Sequence, residues 1–298
     1  DEINGVGVVR AILADPEIEL LRGTLVLVPV VNILGFERLS RYLPDRRDLN
    51  RAFPGSPSGS LASRYAHRVF SEIVEKCDYG IDLHTGAVRR TNFANVRGDL
   101  SNPQVENLAR FFGCELMING KGPQGSLRRA ACKAGCPTII LEGGEVWKIE
   151  PAYVEVAVRG ITNVMIHLDM IDATPRHASY QTRVDETKWV RSNTGGVLHF
   201  HVSPGSVVDE GQALATCSDL LGDDPKVISA SVAGVVMGMT TLPTVKPGDP
   251  ICHLAVPEIG TEAIRRRLVS LEHRPGESLE ERLRDDLASN VTVGEFED

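Results

Sequence analysis

Gly80-Ile81-Asp82-Leu83-His84-Thr85-Gly86 is the stretch on which the predicted fold depends. Apolar and polar residues alternate from Ile81 to His84, the pattern of a short β-strand, and Thr85-Gly86 predicts a turn directly after it. A histidine therefore ends a strand, next to a carboxylate and a turn. Since ligands of open α/β sheets bind at the carboxyl ends of strands, we expect His84 at a ligand-binding edge, although a lone histidine is more often structural.

Strand and helix patterns alternate on both sides of this stretch. Residues 25–31 are a continuous apolar run, typical of a strand buried on both faces, and residues 114–118 and 137–141 are further strand patterns. Apolar residues spaced by three and four predict helices between the strands. Their ranges are residues 4–14, 60–76, 101–113, 126–135 and 151–171. This alternation predicts an α/β domain over residues 1–175, in which helices flank a mixed sheet.

Two polar segments interrupt the alternation. Residues 32–60 are rich in Arg, Asp, Pro and Gly, and residues 89–100 are polar and contain arginine. Both are expected to be loops. Long loops inside compact domains are uncommon and are often functional, so functional side chains are expected in the first segment.

The pattern changes after residue 180 to short strand patterns separated by Gly, Pro and Asp. Two near-repeats begin at Gly196-Val197-Leu198 and at Gly234-Val235-Val236, and each continues to a Pro-Gly turn. They predict a smaller all-β domain over residues 180–256 that resembles the barrel-sandwich of biotinyl and lipoyl domains. Residues 257–298 form an acidic tail with a predicted helix at residues 278–287.

The composition is typical of a globular protein. A net charge of -8 argues against a partner such as nucleic acid or an anionic membrane. No run of about 18 apolar residues predicts a membrane span. Six cysteines in 298 residues do not form a disulfide framework, so a reduced, cytoplasmic protein is expected. The oligomeric state stays open, and a homo-oligomer is compatible with the sequence.

Three further segments carry side chains suited to hydrolysis. Glu2 begins the first predicted helix, where the helix dipole favours a carboxylate even without a function. Asn50-Arg51 combines an amide with a guanidinium that can bind a carboxylate in a bidentate manner. Glu142 directly follows a buried strand pattern and precedes two glycines. It is therefore expected at the sheet edge. A functional role is favoured for Glu142 more strongly than for Glu2 or for Asn50-Arg51.

Six motifs, in order along residues 1–175, form a specific set. They are Asp1-Glu2-Ile3-Asn4-Gly5, Pro29-Val30-Val31-Asn32, Arg41-Tyr42, Asp48-Leu49-Asn50-Arg51-Ala52-Phe53-Pro54-Gly55, Asp82-Leu83-His84-Thr85-Gly86 and Leu141-Glu142-Gly143-Gly144. Together they resemble the aspartoacylase/succinylglutamate desuccinylase family, a branch of the zinc carboxypeptidase superfamily. The resemblance implies a zinc carboxypeptidase-like sheet and a β-rich C-terminal domain.

The resemblance also implies a zinc-dependent hydrolase that removes the acyl group of a small N-acyl amino acid. The residues that match the family's zinc ligands are Glu2 and His84. The residues that match its catalytic groups are Glu142, as general base, and Arg41, which polarises the scissile carbonyl. The residues that match its substrate-binding groups are Asn50, Arg51 and, with a different spacing, Arg128.

One zinc ligand of the family has no match. The family motif reads His-Gly-Asp-Glu, so the first zinc histidine would lie directly ahead of Asp1, together with the opening strands of the fold. Asp1-Glu2 is neither an initiator methionine nor a signal peptide, so the sequence is expected to begin within the protein. We therefore expect the chain as given to bind zinc weakly.

The chemistry explains why these residue types occur together. Two histidines and a glutamate leave a zinc coordination position open for water, whose pKa zinc lowers to about 7. A glutamate base can move the water proton to the leaving amine, while zinc and Arg41 share the developing oxyanion. A Gly-x-Ser-x-Gly elbow is absent from the sequence, so a serine nucleophile is not predicted.

Two alternatives stay open. A zinc carboxypeptidase that cleaves peptides would use the same core. A non-catalytic binding or carrier protein would need a modifiable lysine between the two near-repeats, where Lys226 is the candidate and is expected to be a surface charge. His199 and His201 could indicate a second metal, but they are expected on an exposed strand face.

Overall fold

The computed structural model of the protein describes residues 1–269. Seven α-helices occur in this part of the chain. They are α1 (Asn4–Ala14), α2 (Ile33–Phe36), α3 (Leu61–Glu72), α4 (Pro103–Phe112), α5 (Leu127–Lys133), α6 (Pro151–His167) and α7 (Thr261–Val269). Two single 3-10 turns lie at Leu49–Arg51 and Val74–Lys76. All five helices predicted from apolar periodicity are present, and no helix within residues 1–269 is long and apolar enough to cross a membrane.

Thirteen strands in the described residues form two sheets. They are β1 (Gly80–His84), β2 (Arg90–Gly98), β3 (Leu116–Asn119), β4 (Thr138–Gly144), β5 (Thr182–Val184), β6 (Glu186–Arg191), β7 (Gly196–Phe200), β8 (Val207–Val208), β9 (Ala213–Ser218), β10 (Lys226–Ser229), β11 (Gly234–Thr240), β12 (Thr244–Val245) and β13 (Pro250–Val256). The larger, nine-stranded sheet has the order β1-β4-β2-β11-β13-β6, with β3 and β5 continuing from β2 and β8 pairing with β11. The smaller sheet has the order β10-β9-β7-β12.

The mixed α/β fold predicted for the first part of the chain is confirmed. β1 and β4 are parallel, and β4 is antiparallel to β2 on its other side. Side chains of α1, α4 and α6 pack with those of the sheet in one core, which includes Val8, Phe112, Leu141 and Tyr153. These four residues are fully buried. The packing holds the carboxyl ends of β1 and β4 side by side.

The predicted loop at residues 89–100 is wrong, because β2 occupies the centre of the larger sheet. Its apolar side chains, among them Phe93 and Val96, are buried in the core. Its polar side chains misled the prediction because they are paired inside the protein. Asn95 Nδ2 donates to the carbonyl oxygens of Phe93 (2.7 Å) and Glu142 (3.1 Å). Buried polar groups that are hydrogen-bonded in this way are compatible with a central strand.

The predicted strand at residues 25–31 is also wrong. The segment has the expected composition, but within the described residues it belongs to neither sheet and its backbone forms no strand pairing. Val26 and Val28 are 51% and 37% exposed. The segment and the outer edge of β1 line a common cavity of about 1220 Å³. An apolar β-branched run becomes a strand only where it pairs with a second backbone edge. β1 has a free outer edge, but this segment lies across the cavity from it and does not pair with it.

The strands of residues 180–256 divide between the two sheets, so the smaller β-rich unit is joined to the α/β unit by the pairing of β11 with β2. The barrel-sandwich type of this unit stays a prediction. Lys226 is exposed and pairs with Asp224 at 3.1 Å, as a surface charge would. His199 is exposed, whereas His201 is half-buried and contacts Thr216 Oγ1 at 2.8 Å. The helix predicted at residues 278–287 lies outside the described residues.

The close contact of α4 with α6 gives a test of the core. A methyl group at Gly160 in α6 would lie 2.3 Å from the buried Phe112 ring of α4. Displacing a packed ring costs about 1–3 kcal/mol, and contacts as short as 2.3 Å belong to the upper part of this range, about 2–3 kcal/mol. This cost outweighs the roughly 1 kcal/mol that alanine gains over glycine in a helix. We expect Gly160→Ala to lower the free energy of unfolding by about 1–2 kcal/mol in denaturant titration.

The matched control is Gly120→Ala, since a methyl group at Gly120 meets no atom within 4 Å. This control should stay within about 0.5 kcal/mol of the parent chain. Equal stability of the Gly160→Ala chain and the control would contradict the described packing.

Candidate active site

His84 ends β1 at the carboxyl edge of the larger sheet, as the alternating pattern predicted. Its side chain is 18% exposed. Nδ1 lies 2.7 Å from Glu2 Oε2, and Nε2 lies 3.0 Å from Asp82 Oδ2. Burial lowers the pKa of His84, but the adjacent carboxylates of Asp82 and Glu2 outweigh it and raise this pKa well above its ordinary value. Two carboxylates therefore fix the plane of the imidazole ring.

Glu2 lies just before α1, and its carboxylate contacts His84 and Thr85 at the end of β1. Its Oε2 accepts a hydrogen bond from the Thr85 backbone N–H at 3.0 Å, and its Oε1 forms an ion pair with Arg41 Nη1. Burial alone would raise the pKa of Glu2, but the charge and hydrogen bond of His84 outweigh burial and, with those of Thr85 and Arg41, lower this pKa to about 2. Glu2 is therefore a carboxylate held firmly at the end of β1.

A pair of buried hydrogen bonds explains how the first residues are held in place. Asn4 Nδ2 donates to Glu150 Oε2 at 2.7 Å, and Asn4 Oδ1 accepts from the Glu150 backbone N–H at 2.7 Å. Glu150 Oε2 also accepts from the backbone N–H of Glu145 at 2.9 Å. These bonds attach the start of α1 to the segment that follows β4. Sequence reasoning placed Asn4 in a motif but gave it no role.

Glu2 and His84 supply two ligand atoms of the kinds that bind a zinc ion. Carboxylate oxygen and imidazole nitrogen are common zinc ligands, and the two facing atoms, Oε2 and Nδ1, are close enough to bind one ion together. Asp82 contacts the second nitrogen of His84 at 3.0 Å, the position from which a carboxylate orients a ligating histidine. Among residues 1–269, no group of three or more His, Cys, Asp or Glu side chains is placed to hold a metal. The described residues therefore fit part of a zinc site.

Arg41 and Asp48 continue the cluster beyond Glu2. Arg41 Nε donates to Asp48 Oδ2 at 2.9 Å while its Nη1 contacts Glu2. The Arg41 side chain is 31% exposed. Burial lowers the pKa of its guanidinium, but the carboxylates of Glu2 and Asp48 outweigh this effect and raise it. The structure thus brings Arg41 next to the two candidate zinc ligands.

Asn50 and Arg51 lie on the 3-10 turn next to His84. Asn50 Nδ2 lies 3.5 Å from His84 Nε2, and Asn50 Oδ1 accepts from the Leu127 backbone N–H at 2.9 Å. Arg51 Nη1 donates to the carbonyl oxygen of Asn50 at 2.6 Å, and the Arg51 side chain is 49% exposed. Asn50 therefore attaches the start of α5 to the site, while the guanidinium of Arg51 remains accessible to a ligand.

Arg128, the weaker match, lies in α5 and is 6% exposed. Its Nε and Nη1 atoms have no hydrogen-bond partner among the described residues. Burial and the charge of Arg97 lower the pKa of its guanidinium, whereas Asp82 and Glu142 oppose this effect. A buried, unpaired cation is costly, so this position suits an anionic ligand.

Glu142 lies in β4 directly opposite His84, because the parallel register pairs these two residues. Its side chain is 19% exposed. Asn92 Nδ2 donates to Oε1 at 2.8 Å, and Arg97 Nη1 contacts Oε2 at 3.0 Å. Both partners come from β2, the strand that the sequence analysis took for a loop. A spacing of five residues would place Asn92 and Arg97 on opposite faces of a regular strand. The register shift between Asn92 and Asn95 brings both to Glu142, so the sequence alone gave no signal for this pair.

Six of the seven residues singled out in the sequence are connected at this sheet edge by contacts or by strand pairing. The seventh, Arg128, lies in α5, whose first residue, Leu127, is hydrogen-bonded to Asn50. Glu2 and Asn50 contact His84, and Arg41 contacts Glu2. Glu142 is the neighbour of His84 across the strand pair. Such an arrangement offers carboxylates for metal binding and proton transfer, and guanidinium groups for binding an anion.

Several known proteins are similar to this chain in sequence. The sequence model of the succinylglutamate desuccinylase/aspartoacylase catalytic domain matches residues 1–168, more than half of the chain. The N-alpha-acetyl-L-2,4-diaminobutyric acid deacetylase of Halomonas elongata is 25% identical over 270 residues, which cover 86% of this chain and 79% of that protein.

Solved structures share the fold at lower identity. A succinylglutamate desuccinylase from Silicibacter sp. TM1040 superposes with a TM-score of 0.74 at 22% identity, covering 86% of this chain and 82% of the other. The product-bound ectoine utilization protein of Ruegeria pomeroyi superposes with a TM-score of 0.73 at 22% identity. The match covers 85% of this chain and 81% of the other. The chain belongs to the succinylglutamate desuccinylase/aspartoacylase family.

Proposed function

We propose that the protein is a zinc-dependent hydrolase that removes the acyl group from a small N-acyl amino acid. The observation that carries this proposal is the convergence of Glu2, His84 and Glu142 at one sheet edge, beside Arg41 and the Asn50–Arg51 turn. Membership of the family and the deacetylase named among its relatives support the same reaction class.

Glu2 and His84 would hold the zinc ion, with Asp82 orienting the imidazole. A third ligand is expected from the family motif as the histidine of a His-Gly pair directly ahead of Asp1. Bound zinc supplies a Lewis acid that polarises a carbonyl and lowers the pKa of water to about 7. For His84 to act as a ligand its ring must be neutral at Nδ1, so its proton would reside on the nitrogen that faces Asp82.

Glu142 would perform the proton transfers of the reaction. It accepts a proton from the attacking water as the C–O bond forms, and it delivers this proton to the amide nitrogen as the C–N bond breaks. The products are a carboxylate and a free amine. Such general acid–base catalysis contributes about 10²–10⁴-fold to a rate. The hydrogen bond from Asn92 and the ion pair with Arg97 hold the carboxylate in place for it.

The guanidinium groups would bind and polarise the substrate. Arg41, which contacts Glu2, would stabilise the charge that develops on the scissile carbonyl oxygen. Arg51 is accessible and can form two parallel hydrogen bonds to the substrate carboxylate, with the Asn50 amide beside it. Arg128 is buried, and its Nε and Nη1 have no hydrogen-bond partner within residues 1–269, so it suits a second anionic group of the substrate.

A screen against substrate classes tests the proposal. Zinc-loaded protein that carries the His-Gly extension directly before Asp1 would be assayed against N-acetyl, N-succinyl and N-formyl amino acids, with a C-terminal peptide series alongside. Release of free amino acid from an acyl derivative supports the deacylase. Cleavage confined to the peptides would favour the carboxypeptidase alternative, and turnover of neither class would overturn the proposal.

Replacement of the general base should separate catalysis from metal binding. Glu142→Gln preserves shape and removes the proton acceptor, so kcat should fall about 10²–10⁴-fold. Zinc content and the melting temperature should stay near those of the parent chain. Glu75→Gln, at an exposed position, is the control. Retained activity, or loss of zinc, would remove Glu142 from this role.

Replacement of Arg51 by lysine should weaken substrate binding although the charge is kept. A lysine cannot form the two parallel hydrogen bonds, and hydrogen bonds to charged groups contribute about 1.5–3 kcal/mol. KM should rise about 10- to 100-fold, since 1.4 kcal/mol corresponds to tenfold, with little change in kcat. Arg38→Lys, at an exposed position, should leave KM unchanged. An equal effect on substrates with and without a free carboxylate would count against this role.

Addition of the expected third ligand should increase zinc binding. Loss of a residue that merely supports a ligand costs about 10–100-fold in metal affinity, and loss of a ligand should cost more. A chain extended by a segment that ends in His-Gly directly before Asp1 should bind one zinc per chain in elemental analysis. The matched extension that ends in Ala-Gly should not. Equal zinc content in the two chains would refute the third-ligand assignment.

A further inference from the structure

Asn92 connects the C-terminal β-unit with Glu142, because it contacts both. It lies in β2, and its backbone pairs with Gly238 of β11. Asn92 Nδ2 donates to Glu142 Oε1 at 2.8 Å, and Arg97 contacts the other oxygen, Oε2, at 3.0 Å. One carboxylate oxygen thus accepts a hydrogen bond and the other forms an ion pair. Loss of the Asn92 donor would leave the orientation of Glu142 to Arg97 alone.

Gly238 provides the space that the Asn92 side chain occupies. A methyl group at position 238 would lie 2.3 Å from Asn92 Oδ1 and 3.4 Å from Asn92 Cγ. Contacts of 2.3 Å do not occur between real atoms of these types, so any larger residue must displace the carboxamide. The backbone of Gly238 does not adopt a left-handed conformation. Its glycine is therefore explained by this contact rather than by backbone strain.

A register shift in β11 occurs next to Gly238. The pairing of β11 with β13 shifts between Val236 and Gly238, and after the shift Gly238 pairs with Asn92 on one side and with His253 on the other. β-bulges of this kind commonly re-aim residues next to active sites. The shift therefore places the side-chain-free position directly beside Asn92.

We propose that Asn92 and Gly238 together form a positioning pair that sets the orientation of Glu142. This inference rests on the proposed function, in which Glu142 transfers the proton. Asn92 donates its hydrogen bond to Glu142 Oε1. Because Gly238 has no side chain, the Asn92 carboxamide can lie close to β11 and within reach of this oxygen. Gly238 lies outside residues 1–168, which the catalytic-domain model matches. A strand of the C-terminal unit thus completes the site.

The size of the expected effect follows from the geometry of proton transfer. A displacement of the reacting group by about 1 Å can cost 10²-fold in rate, and a methyl group at position 238 must move the carboxamide by a comparable distance. Asn92 is also a neutral donor, so it orients the carboxylate without adding a second cation to that of Arg97. The pair should therefore affect kcat rather than KM.

A double-mutant cycle tests the pair. The variants are Asn92→Ala, Gly238→Ala and the two combined, with Gly195→Ala as control because a methyl group there meets only ordinary contacts of 3.4 Å or longer. Each single variant should lower kcat about 10²-fold at unchanged KM and zinc content. In the Asn92→Ala background the Gly238 change should add nothing, since no carboxamide remains to be displaced.

A spectroscopic readout makes the test independent of turnover. The ¹³C-carboxyl resonance of Glu142, assigned by its loss in Glu142→Gln, should move in both single variants and by the same amount in the double variant. It should stay in place in Gly195→Ala. Asn92→Leu keeps the approximate size but lacks the donor, and it should move the resonance as Asn92→Ala does. Should Gly238→Ala fail to fold, recovery of folding in the double variant would support the contact between positions 92 and 238, and failure of both chains to fold would overturn the pair.

The outcomes separate this inference from the proposed function. An unmoved resonance in the single variants, or additive effects of the two changes, would overturn the positioning pair. A parent chain that turns over no acyl amino acid would overturn the proposed function, while the resonance still reports whether Asn92 and Gly238 orient Glu142.

Discussion

The parallel pairing of β1 with β4 is the constraint on which the site depends. Its register places His84 opposite Glu142 at one carboxyl edge, so the candidate metal ligand and the candidate base are neighbours by backbone geometry alone. A shift by one residue would turn one of the two side chains to the other face of the sheet. Burial of the alternate residues of both strands in the core opposes such a shift.

A second constraint attaches the first residues of the chain to this edge. Terminal residues fray unless they are held by other contacts, and Glu2 would be a poor ligand if it did so. The buried Asn4–Glu150 hydrogen bonds hold α1 against the segment after β4, and Thr85 and Arg41 hold the Glu2 carboxylate itself. The position of Glu2 is therefore determined by residues far away in the sequence.

Local pattern predicted most of the α/β unit, and its two errors have one cause. The helices, β1 and β4 follow from periodicity because each buries its apolar side against the same core. Residues 25–31 look like a strand and are unpaired, whereas residues 90–98 look like a loop and form the central strand β2. Strand formation requires a partner edge, and the sequence of one segment does not reveal which other segment lies beside it.

The same reasoning explains which part of the site could be predicted. Glu2, His84 and Glu142 stand at the ends of strong local patterns, so their positions could be inferred one by one. Asn92 and Gly238 acquire a role only from each other, since the carboxamide reaches Glu142 because the paired position on β11 has no side chain. A catalytic group can thus be inferred from its own segment, whereas the residues that orient it become visible only once the strands are paired.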